Sequence, residues 1–139
     1  MIDTNTIMTN IKVILDADAT MKTLLGVKSA SKVILGVKVP DGAAPPLVNL
    51  ADMTENVEDF SSGWTRFILG VVVRTENTDG NLANYEAFSD IGNRVHALLD
   101  SQTISGMRGM VYSGAMQVTS DLEHDSVSIK QYRYLILGL

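Results

Sequence analysis

The residues best placed to do chemistry lie between Thr75 and Glu86. The stretch Thr75-Glu-Asn-Thr-Asp-Gly-Asn-Leu-Ala-Asn-Tyr-Glu86 sets Asn77, Asp79, Gly80, Leu82 and Glu86 at positions 3, 5, 6, 8 and 12 of a calcium-binding loop. Position 1 is Thr75 where Asp is usual, and position 9 is Ala83, which offers no side-chain oxygen. The segment before it reads as a strand, whereas such a loop follows a helix. A strand-to-helix turn with an Asp-Gly bend and an Asn81 cap accounts for the same residues. Asp121-Leu-Glu-His-Asp125 gathers three carboxylates and a histidine, but consecutive loop side chains rarely converge on one ion. A solvated hairpin tip is the simpler description. His96 lies beside Val95 on a long amphipathic stretch and is expected at the boundary between helix and solvent. There are two histidines, no Gly-x-Ser-x-Gly elbow, no glycine-rich phosphate loop and no cysteine. The expectation is a protein that is not an enzyme, with no catalytic residue, no cofactor and no metal.

The remaining candidates are contact residues. Trp64 and Arg66 stand together at the entrance of a long apolar strand, and exposed Trp and Arg are favoured interface anchors. The alternative for Trp64 is to close the edge of the core, since Trp is highly buried on average yet seldom completely so. Arg74, with the turn over 75–81, marks the other end of that strand. Met107, Met110 and Met116 read as core filler.

Charge is distributed unevenly. The net charge is −5, yet residues 1–40 sum to +2, residues 41–63 to −5 and residues 64–100 to −2. The acidic stretch carries Asp41, Asp52, Glu55, Glu58 and Asp59 and no basic residue. That argues against DNA binding by phosphate neutralisation, which needs clustered Lys and Arg. It suits a solvated loop, or a surface that repels nucleic acid or meets a basic partner. Absence of cysteine removes disulfides and thiolate chemistry and fits a reducing compartment. Asp3 stands where a signal peptide would carry positive charge, and no apolar run approaches the ~20 residues of a membrane helix. A cytosolic, untargeted product of one domain over 1–139 is expected.

The elements that must position these residues follow from periodicity. Ile7, Met8, Ile11, Ile14 and Leu15 mark an amphipathic helix with Asp3 or Thr4 as its cap. Asp18 caps a second, short helix through Met21, Leu24 and Leu25, which Gly26 stops. Lys32–Val39 and Leu47–Asp52 read as strands separated by a loop with Pro45 and Pro46. Trp64–Thr75 is a long strand whose centre is apolar on both faces, so it belongs in the middle of a sheet. Phe67, Leu69, Val71 and Val73 share one face. Leu82, Tyr85, Phe88, Ile91, Val95, Leu98 and Leu99 form one stripe of a long helix. Gly92 within it costs about 1 kcal/mol against Ala, which close packing on the sheet would explain. Strands over Gly109–Thr119 and Val127–Leu137 finish the chain, the second with Val127, Ile129, Leu135 and Leu137 on one face. The fold class is α+β: a mostly antiparallel sheet of about five strands, with N-terminal helices and one long amphipathic helix packed on it.

This order of elements is similar to that of the tail-completion, or tail-terminator, proteins of long-tailed bacteriophages. The resemblance is carried by Ile11-Lys-Val-Ile-Leu-Asp-Ala-Asp18, Leu24-Leu-Gly26, Pro45-Pro-Leu-Val-Asn-Leu50, Ile91-Gly-Asn-Arg-Val-His-Ala-Leu-Leu99 and Tyr132-Arg-Tyr-Leu-Ile-Leu137. It covers nearly the whole chain. Members often have aromatic residues in the strand after the proline break, where this chain has Leu47-Val-Asn-Leu50. The resemblance implies a structural virion protein of tail and neck, assembled in the host cytoplasm. It implies a hexameric ring that caps the tail tube and presents a surface to the head connector, with DNA passing through without specific binding and no membrane partner. A head–tail stopper of similar size, or a small metal-binding α+β domain, is the alternative. Within that reading the contact candidates are Trp64, Arg66 and Arg74, with the acidic Glu55, Glu58, Asp59, Asp121, Glu123 and Asp125. Loops 53–63 and 120–126 are the candidates for the bore.

Overall fold

A computed structural model describes residues 4–28, 30–36, 44–52, 65–76, 81–100, 107–119 and 127–138. They form α1 (Thr4–Ala17), α2 (Ala19–Leu25), β1 (Val33–Leu35), β2 (Leu47–Asp52), β3 (Thr65–Glu76), α3 (Asn81–Asp100), β4 (Met107–Thr119) and β5 (Val127–Gly138). This is the element order that the hydrophobic pattern predicts. The class is α+β, with one five-stranded sheet in the order β1-β2-β3-β5-β4. Pairing is antiparallel except between β1 and β2, which run parallel.

Local chemistry accounts for the helix boundaries. Ile7, Met8, Ile11 and Leu15 put a buried stripe along α1, while Val13 on its outer side is 60% exposed. Asp18 separates α1 from α2. Its backbone is extended, and its carboxylate accepts the Met21 N–H at 2.8 Å, satisfying a donor that the first turn leaves free. Gly26 ends α2 in the left-handed region at φ 67°, where a side chain would be strained. The Val27 N–H then donates back to the Lys22 carbonyl at 2.9 Å and closes the last turn. Asn81, expected as a cap, is the first residue of α3 itself.

β3 lies at the centre of the sheet, with β2 on one side and β5 on the other. Its Leu69, Val71 and Val73 point to the helices, as do Val48 and Leu50 of β2 and Tyr132, Tyr134 and Ile136 of β5. Phe88, Ile91, Val95 and Leu99 of α3, with the stripes of α1 and α2, complete this core. Register places Leu47, Asn49 and Ala51 of β2, Val72 of β3 and Gln131 of β5 on the opposite face, and these too are buried. A central strand buried on both faces explains its continuous apolar run. On β5 the aliphatic face seen in the sequence, with Ile129 and Leu135, is half-buried. The tyrosine face is the one that meets the helices.

Gly92 sits where α3 meets that tyrosine face. A Cβ at this position would overlap the Tyr132 hydroxyl and ring. The glycine lets the helix approach the sheet closely enough for the Tyr132 hydroxyl to donate to the Phe88 carbonyl at 2.8 Å. Gly114 in β4 has φ 129° and adjoins a shift in the β4–β5 register, a local irregularity of the kind glycine permits. The Pro45–Pro46 peptide before β2 is cis.

Candidate functional site

Three side-chain assemblies stand out, and each joins elements distant in sequence. The first is at the β1–β2–β3 end. Asn49 is fully buried; its amide nitrogen donates to the Gly36 carbonyl at 2.9 Å, and its oxygen accepts from the Arg74 Nε at 3.0 Å. Both ends of the amide are used, as burial of a polar group requires. Burial holds the Arg74 guanidinium below the usual arginine range. Arg74, expected at the rim of the strand as a contact residue, is half-buried and makes this internal bond.

The second assembly surrounds His96. Its ring meets Tyr112 of β4 edge-on at 4.5 Å between centroids, Tyr132 at 5.6 Å and Tyr134 at 5.4 Å. Such edge and tilted contacts suit the aromatic quadrupole. Burial lowers the His96 pKa, a shift that Asp100 partly opposes, and burial first of all pushes the Tyr134 hydroxyl well above the ordinary phenol range. The Tyr134 hydroxyl and His96 Nδ1 share a hydrogen bond whose donor is set by the imidazole tautomer. Lys130 lies 5.4 Å from the centre of the Tyr132 ring. Tyr112 is 46% exposed and opens the cluster to solvent.

The third ties the helical layer together. Arg94 of α3 grips Asp18 with two bonds, Nε to Oδ2 at 2.8 Å and Nη2 to Oδ1 at 2.5 Å. The guanidinium hydrogen bond holds the Asp18 carboxyl below its ordinary range. Asp16 accepts from Lys12 at 2.6 Å and from the Ser31 hydroxyl at 2.7 Å, linking α1 to the start of β1.

The structure brings few of the sequence candidates together. Trp64, Glu55, Glu58, Asp59, Asp121, Glu123 and Asp125 lie outside the described residues. Arg66 is in β3 opposite Leu137, and its side chain also lies outside them. The apparent calcium loop is divided: Thr75 ends in the sheet with a buried hydroxyl, Glu86 is exposed on α3, and 77–80 lie outside the described residues. Among the described residues no group of three or more His, Cys, Asp and Glu is placed to hold a metal ion. No described helix is long and apolar enough to cross a membrane. The His96 cluster was missed in the sequence, although Tyr132 and Tyr134, two apart on a strand, already shared a face.

No protein-family profile matches the chain, and no curated protein matches it. Among solved structures the chain is similar to one in the "Virion of native gene transfer agent (GTA) particle", with a TM-score of 0.70 at 15% identity. The likeness covers 96% of this chain and 95% of that one. The two share the fold across nearly their whole lengths.

Proposed function

We propose that the chain is a structural subunit of a phage-like virion, forming a ring that ends the tail tube and joins it to the head connector. The observation that carries this reading is the shared fold, over 96% of the chain, with a component of a virion particle. The order of elements, similar to that of tail-terminator proteins, supports the terminator role within it. The described polar side chains support it as well. Asn49, Arg74, Asp18, Arg94 and His96 all join one element to another. That is the economy of a scaffold whose outer surface does the work.

A ring closes when each subunit offers two different, complementary faces related by a rotation. Six copies at −5 each carry −30. Any part of that charge facing the bore repels the DNA backbone over a Debye length of about 10 Å at 0.1 M salt. DNA then slides through without adhering. The partners in this reading are further copies of the chain, the tail-tube protein and the head connector. Light scattering on the purified chain, alone and mixed with tail tubes, tests it. A sixfold mass or binding at one end of the tubes is expected, and a monomer indifferent to tubes contradicts it.

A further inference from the structure

A groove of about 320 Å³ opens between α1, α2 and β1. Its floor is apolar: Leu15, Met21, Leu25 and Val33, all at most 2% exposed. Its rim is basic. Lys22 and Lys28 line it and are exposed, and neither has an ion-pair partner among the described residues. Asp16, the one carboxylate in the lining, is already held by Lys12 at 2.6 Å and by Ser31 at 2.7 Å. An apolar floor under two uncommitted cations selects an acidic segment with a bulky apolar anchor. At this volume, near the lower limit of about 300 Å³ for ligand pockets, the floor suits one large side chain.

The chain's own sequence contains such a segment. Residues 41–63 carry five carboxylates and no basic residue. Within them Val57-Glu-Asp-Phe60 sets two adjacent carboxylates directly before an aromatic residue. We propose that the groove receives the acidic segment of a second copy of this chain, with Phe60 over the apolar floor and Glu58 and Asp59 against Lys22 and Lys28. Groove and segment are different parts of one chain, so the contact runs head to tail and is the kind that closes into a ring. It rests on the reading of the chain as a self-assembling subunit, and gives Glu58 and Asp59 a place between subunits, not in the bore. The charges meet at an exposed rim, so the contact weakens with salt as the Debye length falls to about 3 Å at 1 M.

The absence of cysteine allows a direct test. A chain carrying Lys28→Cys is mixed with one carrying Glu58→Cys, oxidised with glutathione disulfide, and run without reductant. The expected product is a disulfide dimer joining the two variants, at least tenfold more abundant than with Ala97→Cys in place of Lys28→Cys, and depleted by 1 M NaCl or by Phe60→Ala. In a second arm, Lys22→Glu/Lys28→Glu abolishes association with the unaltered chain and restores it with Glu58→Lys/Asp59→Lys. Circular dichroism confirms that each variant is folded. An oligomer by light scattering that gives no such cross-link overturns the groove contact and leaves the ring standing. A double variant that closes the disulfide within one chain overturns it as well, because the segment then occupies its own groove.

Discussion

Gly92 gives the sharpest residue-level prediction, because two effects oppose each other there. On helix propensity alone Gly92→Ala would gain about 1 kcal/mol. The added methyl meets the Tyr132 ring and hydroxyl, and overpacking costs about 1–3 kcal/mol. Tyr132 is buried and tied to the Phe88 carbonyl, so it cannot swing away cheaply. Urea unfolding should therefore show Gly92→Ala destabilised; a gain would mean that the helix lifts from the sheet without cost. Thr75 runs the other way. Its hydroxyl is buried with no hydrogen-bond partner among the described residues, a state that costs roughly 1–3 kcal/mol. Thr75→Val keeps the shape and removes the orphan group, so its unfolding midpoint should hold or rise. His96 is neutral in the fold because burial lowers its pKa. The unfolded chain binds that proton more readily, so the stabilisation is complete above the unfolded pKa of about 6.5 and is lost as pH falls below it. Melting temperature should decline from pH 7 to 5, and His96→Gln should flatten that decline; an unchanged slope would remove His96 as its source.

Among the elements, the junction of α2 with α3 depends on Asp18, which caps one helix and holds Arg94 of the other. Asp18→Ala should lose about 1 kcal/mol through the cap alone, and Asp18→Asn less, since an amide oxygen still accepts the Met21 N–H. Chemical denaturation of the two variants checks the order, and equal losses would show that the cap is not what matters. Much of this level was legible in the sequence, for local reasons. The Asp18 cap, the Gly26 stop, the central position of β3 and the close approach at Gly92 are each set by a few neighbouring residues. What was not legible depends on residues far apart. Nothing near residue 18 announces Arg94, 76 positions away. The insertion of β5 between β3 and β4, and the parallel pairing of β1 with β2, are fixed by global packing. The inward face of β5 was obscured because its core residues are tyrosines and its aliphatics face the other way. The bond from Arg74 to Asn49 was not legible either, because a buried asparagine partner on β2 leaves no mark in β3's own pattern.

For the whole molecule, what is shared with the virion component is the fold, and the proposed assembly is argued from it together with the uneven charge. In the proposed assembly, net −5 keeps free copies apart at low salt, while the stretch 1–40, net +2, and the stretch 41–63, net −5, attract. Most contact candidates of the sequence lie outside the described residues, so functional tests address them directly. Replacing Glu55, Glu58 and Asp59 together by their amides should reduce the yield of infectious or DNA-delivering particles; an unchanged titre would remove that stretch from assembly. The most direct measurement of the central claim is electron microscopy of particles made without this chain. The account predicts DNA-filled heads without tails, beside free tail tubes of uncontrolled length, with normal joining restored by adding the purified protein. A normal population of tailed particles in its absence would contradict it.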